Sequence, residues 1–286
     1  MSASPLPKVV VIGAGTMGHG IAQVAAVAGH PVTLVDAAPA ALERALAKVG
    51  QSLDKLVEKG KLGAEAAADA RARLGAAEGL EAAVADAGIV VEAIPENLAW
   101  KQALFARVDA AAPAGALLGT NTSSLSIGAI AGAVRDPGRV IGLHFFNPVP
   151  LMSLLEIVVH DAVSDDTRAR ALAFGAGLGK ECIVVRDLPG FATSRLGVAL
   201  GMEAIRMVED GVASPEDIDK AMVLGYRHPV GPLRLTDMVG LDVRLAIGEH
   251  LAATLGNPAF SPPRLMREMV AAGKLGQKAG QGFYRW

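Results

Sequence analysis

A glycine-rich turn near the amino terminus constrains the fold of this chain more than any other feature. The turn is Gly13-Ala14-Gly15-Thr16-Met17-Gly18, and it follows an apolar, β-branched run at residues 8–12. Small and apolar residues from 16 to 28 then predict a helix, and residues 31–35 predict a second strand. Strand, glycine turn, helix and strand form one βαβ unit, which belongs to a parallel sheet.

Each glycine of this turn has a physical role in a dinucleotide site. Gly13 permits the tight turn, Gly15 lets the backbone approach a pyrophosphate, and Gly18 lets the helix pack closely on the strand. The helix amino terminus offers free N–H groups and positive dipole to the phosphates. The whole turn, including Ala14, Thr16 and Met17, is therefore a predicted cofactor-binding site.

Asp36 closes the second predicted strand and bears on which dinucleotide binds. A carboxylate there accepts hydrogen bonds from the ribose hydroxyls and repels a 2′-phosphate. The next residues, Ala37-Ala38-Pro39, include no arginine that would bind such a phosphate. NAD is therefore the predicted cofactor rather than NADP. A helix N-cap or a solvated turn is the alternative role for Asp36.

Composition excludes several classes of partner. The chain is 51% hydrophobic and 20% charged with a net charge of −2, so it is globular, and we expect neither nucleic acid nor membrane as a partner. Residues 9–35 carry no charge, but their glycines and Pro31 favour a buried α/β core over a membrane span. Cys182 is the single cysteine, which fits a reducing compartment. Residues 1–7 lack a secretory signal, so a cytoplasmic location is expected, and no metal site is predicted.

The remaining pattern divides the chain in two. Further strands are predicted at residues 89–93, 116–119, 139–143, 155–159 and 182–185, and helices at 40–60, 63–75, 97–112 and 165–178. After the Pro189-Gly190 pair, helices are predicted at 191–210, 215–224, 242–255 and 262–272, with no convincing strand. Residues 1–188 therefore predict an α/β Rossmann-type doubly wound sheet domain, and residues 189–286 an all-α domain.

Hydride transfer to NAD from an alcohol also requires a base for the hydroxyl proton. A base that titrates near neutral pH is most often histidine. Of the six histidines, His144 ends a predicted strand and enters a proline-rich loop at residues 145–150. Sites in open α/β sheets form at the carboxyl ends of strands, so His144 is the candidate base.

Glu156 is the candidate partner of His144. It lies in the otherwise apolar run Leu154-Leu155-Glu156-Ile157-Val158-Val159, and a buried carboxylate is costly unless it is paired. A His–Glu pair would fix the imidazole tautomer and support its charge. Spacing leaves a second possibility open, in which Glu156 lies on an exposed strand edge and His144 is a core histidine.

A polar cluster at residues 120–125 (Thr-Asn-Thr-Ser-Ser-Leu) follows another predicted strand. Its hydroxyls could hydrogen-bond a substrate oxygen. Turn formation and helix capping are the commoner roles of such clusters, and they remain open here.

Several motifs in order resemble the 3-hydroxyacyl-CoA dehydrogenase family, closest to the bacterial 3-hydroxybutyryl-CoA dehydrogenases. The motifs are VVIGAGTMGHGIA at 9–22, VVEAIPENLAWK at 90–101, NTSSLSI at 121–127, GLHFFNPVPLMSLLEIV at 142–158, DLPGFATSR at 187–195, LGYRHPVGPLRLTDMVGLDV at 224–243 and GQGFYRW at 280–286. The resemblance covers nearly the whole chain.

The resemblance implies reversible oxidation of the 3-hydroxyl of an (S)-3-hydroxyacyl-CoA, with NAD reduced. It implies that His144 is the base, Glu156 its partner and Ser123 the serine that contacts the reacting oxygen. The further implied contacts are Ser123, Asn147, Glu96, Lys101 and Lys278 at the cofactor, Asn147 also near the substrate, and Ser52 and Lys59 at the CoA moiety.

One residue departs from the family pattern. The family often has asparagine before the arginine of the PGF motif, where this chain has Ser194 before Arg195. Serine is shorter and has fewer hydrogen-bonding atoms. Two roles stay open for Ser194, namely contact with the substrate through water or no role in the site.

The assembly of the chain and two other functions complete the expectations. The helix at 191–208 is apolar on more than one face, so it must be buried in its own domain or against another chain. The resemblance implies a homodimer formed through residues 189–286. The alternative functions are an L-gulonate-type sugar-acid 3-dehydrogenase and a non-catalytic NAD-binding structural oligomer.

Overall fold

The structure is a computed structural model that describes residues 5–286. The chain divides into two compact units, the first ending at Asp187 and the second spanning Leu188–Trp286. The sequence predicted a domain boundary one residue later, after Leu188, and that boundary stays a prediction. The expected cytoplasmic location rested partly on residues 1–7. Of these, residues 1–4 lie outside the described residues.

An eight-stranded sheet forms the first unit. Its strands are β1 Val9–Ile12, β2 Val32–Val35, β3 Leu74–Ala77, β4 Ile89–Glu92, β5 Leu117–Thr120, β6 Val140–Phe145, β7 Leu154–Val159 and β8 Glu181–Arg186. Their order is β3-β2-β1-β4-β5-β6-β7-β8. Every neighbouring pair is parallel except β6 and β7, which are antiparallel. The strand order reverses between β1 and β4, which creates a crevice at that point.

Seven α-helices accompany the sheet within the described part of this unit. They are α1 Thr16–Val27, α2 Pro39–Glu58, α3 Ala64–Arg73, α4 Leu80–Val84, α5 Leu98–Ala111, α6 Ile127–Ala131 and α7 Asp165–Gly177. The strands β1, β4 and β5 are buried on both faces, as apolar runs in a parallel sheet require. The uncharged run at residues 9–35 forms β1, α1 and β2, as predicted. Within residues 5–286, no helix is long and apolar enough to span a membrane.

The predicted helix at residues 63–75 is wrong at its carboxyl end. α3 stops at Arg73, and the next four residues form β3, which pairs in parallel with β2. Leu-Gly-Ala-Ala has weak β-propensity, so local sequence gave no strand signal. Pairing with the edge of β2 supplies the stabilisation that propensity lacks.

Among its described residues the second unit contains helices joined by loops and no strand, apart from isolated bridges at Gly276–Gln281 and Gln281–Arg285. Its α-helices are α8 Thr193–Glu209, α9 Pro215–Gly225, α10 Pro232–Val239, α11 Leu241–Leu255 and α12 Arg264–Ala271. The sequence predicted four of these and missed α10. α10 is a short helix of eight residues, with Pro232 at its start and Gly240 at its end.

Asp237 of α10 anchors the carboxyl-terminal segment within this unit. Its side chain is fully buried and accepts hydrogen bonds from the N–H groups of Phe283 and Tyr284, each at 2.9 Å. It also accepts one from the indole N–H of Trp286 at 3.0 Å. A Cβ at Gly282 would lie 2.1 Å from this carboxylate, so the close approach requires glycine. Two of the sequence motifs, at 224–243 and 280–286, thus meet at one side chain.

Asp237→Asn is expected to lower the free energy of unfolding of the second unit by about 2 kcal/mol, because an amide leaves at least one buried donor without an acceptor. Urea unfolding measures the change. Asp210→Asn is the matched control, since Asp210 is exposed at the carboxyl end of α8 and should leave the free energy nearly unchanged. Equal unfolding midpoints for both variants would contradict the anchoring role.

Candidate active site

The glycine turn lies at the crevice between β1 and β4. Gly13 has φ +102°, and a Cβ there would lie 2.6 Å from the carbonyl oxygen of Ala93. A Cβ at Gly18 would lie 1.7 Å from the carbonyl oxygen of Gly13. Only glycine fits at these two positions. Gly15 instead faces open space, with no atom within 4 Å of a Cβ built there. The turn therefore leaves room for a ligand where a pyrophosphate would lie.

A cleft of about 1040 Å³ extends from this turn. Its lining includes the residues of the turn from Gly13 to Met17, the end of β2 at Asp36, and the segment Ala93-Ile94-Pro95 after β4. Apolar side chains of α5 complete one wall. The cleft has the size, the helix amino terminus and the carboxylate at the end of β2 that suit a dinucleotide.

Asp36 connects the glycine turn to the start of α2 at one side of the cleft. Its carboxylate accepts hydrogen bonds from the N–H of Ala14 at 2.7 Å and from the N–H of Ala38 at 2.9 Å. The N-cap of α2 is Ala38, so Asp36 is not the helix cap. Arg44 and Lys48 of α2 also line the cleft, which inspection of the residues directly after Asp36 did not reveal. Both cations bear on the preference for NAD over NADP.

His144 and Glu156 meet across the antiparallel pair of strands. His144 lies near the carboxyl end of β6, directly opposite Glu156 of β7. Residues opposite each other in such a pair project to the same face. Nδ1 of His144 lies 2.6 Å from Oε2 of Glu156, and Glu156 is fully buried. The structure thus shows the pair, not the exposed carboxylate that spacing left open, because β8 covers the other edge of β7.

Ser123 lies in the loop after β5, and Glu96 holds that loop. One carboxylate oxygen of Glu96 accepts the hydroxyl of Thr122 at 2.5 Å and the N–H groups of Ser123 and Ser124 at 3.0 and 3.2 Å. Burial raises the pKa of Glu96, but the Thr122 hydrogen bond and the charge of Lys101 outweigh it, so the net pKa is lowered. Glu96 is therefore ionised at neutral pH. The Thr122–Ser124 cluster is a carboxylate-bound turn, which sequence reasoning left open.

Two residues near this loop had no individual role assigned from the sequence, although Asn121 belongs to the 120–125 cluster. Asn121 accepts the N–H of Phe145 at 2.8 Å, which ties the loop after β5 to the end of β6. Glu92, the last residue of β4, is fully buried and pairs with Lys101 at 2.5 Å. A carboxylate in an otherwise apolar strand was a usable signal, and it is the same signal that drew attention to Glu156.

The other candidate residues lie in both units. Asn147 is exposed in the loop after β6, where the Asn147–Pro148 bond is cis. Ser52 is half-buried on α2, and Lys59 is exposed at its carboxyl end. In the second unit, Ser194 is half-buried in the first turn of α8. Lys278, also in that unit, pairs with the carboxylate of Asp242 at 2.6 Å.

Comparison with known proteins identifies the family. Residues 8–188 match the NAD binding domain of 3-hydroxyacyl-CoA dehydrogenases, and residues 190–286 match the C-terminal domain of the same enzymes. The chain belongs to the 3-hydroxyacyl-CoA dehydrogenase family. Its fold is the predicted Rossmann-type sheet domain followed by an all-α region, and its cofactor is NAD.

Individual relatives are similar along almost the entire chain. A probable 3-hydroxybutyryl-CoA dehydrogenase of Bacillus subtilis is 43% identical over 98% of this chain and 97% of its own length. A probable 3-hydroxybutyryl-CoA dehydrogenase of Deinococcus radiodurans is 44% identical over 98% of this chain and all of its own. The crystal structure of (S)-3-hydroxybutyryl-CoA dehydrogenase PaaH1 from Ralstonia eutropha superimposes with a TM-score of 0.94 at 42% identity, over 98% of this chain and 99% of that one.

Proposed function

We propose that this protein oxidises the 3-hydroxyl of a short-chain (S)-3-hydroxyacyl-CoA, such as 3-hydroxybutyryl-CoA, to the 3-keto thioester, reversibly and with NAD. The observation that carries the proposal is the buried His144–Glu156 pair at the carboxyl end of β6, in the unit that holds the dinucleotide cleft. A histidine supported by a carboxylate is the base that alcohol oxidation needs. The family and the names of the relatives supply the substrate class.

In the proposed mechanism, His144 removes the hydroxyl proton. The hydrogen bond to Glu156 favours the tautomer that carries its proton on Nδ1, so the basic lone pair is on Nε2. Glu156 interacts more strongly with the imidazolium that forms than with neutral imidazole. It therefore stabilises the transition state more than the ground state, which lowers the barrier. Bound NAD supplies the hydride acceptor.

Ser123 and Asn147 orient the reacting groups in this mechanism. The Ser123 hydroxyl donates to the substrate oxygen as the carbonyl develops, a contribution of about 3 kcal/mol for one well-placed donor. Asn147 lies three residues after His144, on the loop that leaves β6, and we propose that it contacts the nicotinamide side of the site. For Ser194 of the second unit, the proposed role is a substrate contact through water, and the alternative is no role in the site.

The residues proposed to hold NAD come from the cleft and from the family resemblance. The turn from Gly13 to Gly18 holds the pyrophosphate, and Asp36 accepts the ribose hydroxyls. The family resemblance also makes Glu96 and Lys101 proposed cofactor contacts. Lys101 is 1% exposed and donates to the carbonyl oxygen of Ile94, which lines the cleft, so it acts on the cofactor site through that segment. Lys278 of the second unit is proposed as a further contact.

Ser52 and Lys59 of α2 are proposed to bind the CoA moiety. Their spacing of two helical turns puts them on one face of the helix. None of the ion pairs among residues 5–286 includes Lys59, so its ammonium is available to a phosphate. This supports a CoA thioester over a sugar acid, because a sugar acid carries no phosphate for Lys59 to bind.

One assay tests the proposed function. We expect NADH oxidation with acetoacetyl-CoA, slower oxidation with longer 3-ketoacyl-CoAs, and much weaker activity with NADPH because of Asp36. Reduction of NAD by L-gulonate, with no activity on acetoacetyl-CoA, would overturn the proposal in favour of the sugar-acid enzyme. Comparable rates with NADPH would show that Arg44 and Lys48 offset the repulsion by Asp36.

We also propose a cytoplasmic homodimer that assembles through the second unit. Large apolar side chains of that unit are exposed on the single chain: Leu196, Val212, Leu224, Tyr226, Met238, Val239 and Val243. Exposed apolar surface of this extent favours a protein contact. The single cysteine, Cys182, fits a reducing compartment. Light scattering at micromolar concentration measures the assembly, and a monomer would contradict the dimer.

A further inference from the structure

The end of β4 holds a buried ion pair whose role goes beyond packing. Lys101 of α5 is 1% exposed, and Glu92 of β4 is fully buried. The Lys101 ammonium donates to Glu92 at 2.5 Å and to the carbonyl oxygen of Ile94 at 3.2 Å. Its third neighbour is a carboxylate oxygen of Glu96 at 3.4 Å. One cation therefore lies between two carboxylates.

Glu92 connects three parts of the unit through its two oxygens. One oxygen accepts the ammonium of Lys101 and the N–H of Ile94, the latter at 2.7 Å. The other accepts the hydroxyl of Thr120, at the end of β5, at 2.6 Å. Ile94 lines the dinucleotide cleft, and Thr120 precedes the loop that carries Ser123. The Glu92 carboxylate thus connects the wall of the cleft to the start of the loop that carries Ser123.

Glu96 closes the network from the other side. Besides the Thr122 hydroxyl, its Oε1 accepts the N–H groups of Ser123 and Ser124 and, at 3.4 Å, the Ser123 hydroxyl, so it fixes both the backbone and the side chain of Ser123. The second oxygen of Glu96 faces Lys101. Lys101 lies nearer to Glu92, at 2.5 Å, than to Glu96, at 3.4 Å, and the other oxygen of Glu96 is bonded to the loop.

The stability of the fold is a weak explanation for the buried Glu92–Lys101 pair. Replacing a buried ion pair by apolar side chains is often neutral or stabilising, because both charges lose their hydration. In this protein the Lys101 ammonium of the pair also contacts Glu96, the residue that holds the Ser123 loop. We infer that Glu92 is a positioning residue for the reaction: it holds Lys101 so that Glu96 presents Ser123 at a fixed distance from the dinucleotide cleft. The inference rests on the proposed role of Ser123.

Glu92→Gln tests the inference. Glutamine keeps the size of the side chain and one acceptor but leaves the positive charge of Lys101 to Glu96 alone, which draws Glu96 from the loop. We expect kcat with acetoacetyl-CoA and NADH to fall about 10- to 100-fold, as for a displacement of about 1 Å in a reacting group. We expect the Kd for NADH to rise less than kcat falls, because the glycine turn and Asp36 are untouched while Ile94 and Glu96 are the contacts that shift.

A double-mutant cycle separates positioning from general damage. Once Ser123→Ala has removed the hydroxyl, Glu92→Gln should lower kcat less than about 3-fold further. The matched control is Asp109→Asn, a buried carboxylate of α5 that pairs with Arg139 at 2.5 Å. Asp109→Asn should leave kcat within about 2-fold in either background.

Amide hydrogen exchange on the protein without cofactor gives a readout independent of activity. The N–H groups of Ser123 and Ser124 should exchange about 10-fold faster in Glu92→Gln, and unchanged in Asp109→Asn. If Glu92→Gln fails to fold, Thr120→Val removes one hydrogen bond of the same network and should change both readouts in the same direction, less strongly.

Two outcomes distinguish the inference from the proposed function. If the unmodified chain does not reduce acetoacetyl-CoA, the proposed function fails, while the exchange experiment still tests the network. If the unmodified chain is active but Glu92→Gln keeps its kcat, or lowers it equally with and without the Ser123 hydroxyl, the inference is wrong.

Discussion

His144→Gln is expected to lower kcat about 10²- to 10⁴-fold, the range that a general base contributes, while NADH binds nearly as before. Glutamine has no lone pair of suitable basicity to accept the hydroxyl proton. The Rossmann cleft does not include His144, so the cofactor contacts stay in place. Steady-state kinetics with acetoacetyl-CoA and fluorescence titration with NADH measure the two quantities.

The matched control for this substitution is His160→Gln. His160 is also in the first unit and is half-buried, but its Nε2 hydrogen-bonds the carbonyl oxygen of Val140 at 3.1 Å and not a carboxylate. We expect its kcat to stay within about 2-fold. An ordinary kcat for His144→Gln would remove His144 from the role of base.

Glu156→Gln is also expected to lower kcat about 10²- to 10⁴-fold. Replacing the buried carboxylate of a comparable His–acid pair by an amide lowers kcat by about the upper value of this range. The amide can donate to Nδ1 of His144, which would place the imidazole proton on Nε2 and block the base. The amide also lacks the charge that stabilises the imidazolium. Glu156→Ala should have an effect in the same direction.

Coupling between the two residues makes this second prediction specific. In a His144→Gln background, Glu156→Gln should add little further loss, because its effect acts through the imidazole. The control variant Asp109→Asn again replaces a buried carboxylate away from the site. A change confined to the Michaelis constant for acetoacetyl-CoA would contradict the pairing.

The dinucleotide fold was predictable because its signals are local. The βαβ unit depends on a short glycine turn, and steric space alone explains Gly13 and Gly18. Long apolar runs predicted β1, β4, β5 and β6 because strands in the interior of a parallel sheet are buried on both faces. β3 escaped prediction because an edge strand of Leu-Gly-Ala-Ala depends on its neighbour.

The site was only partly predictable for a different reason. The sequence named His144 and Glu156 separately, and the costs of burial made a pair plausible. Their spacing along the chain did not show that β6 and β7 run antiparallel with these two residues in register. A shift of one residue would have sent the two side chains to opposite faces of the sheet.

Sequence by itself thus determined the class of fold, the cofactor and the residue types of the reaction, because steric and periodic constraints operate within a few neighbouring residues. Tertiary structure decided which carboxylates meet which cations. Glu92 and Lys101 meet because the carboxyl end of a strand faces the start of the following helix. Asp237 meets the carboxyl-terminal segment across more than forty residues of chain. Such contacts depend on strand register and helix packing, which no local pattern encodes.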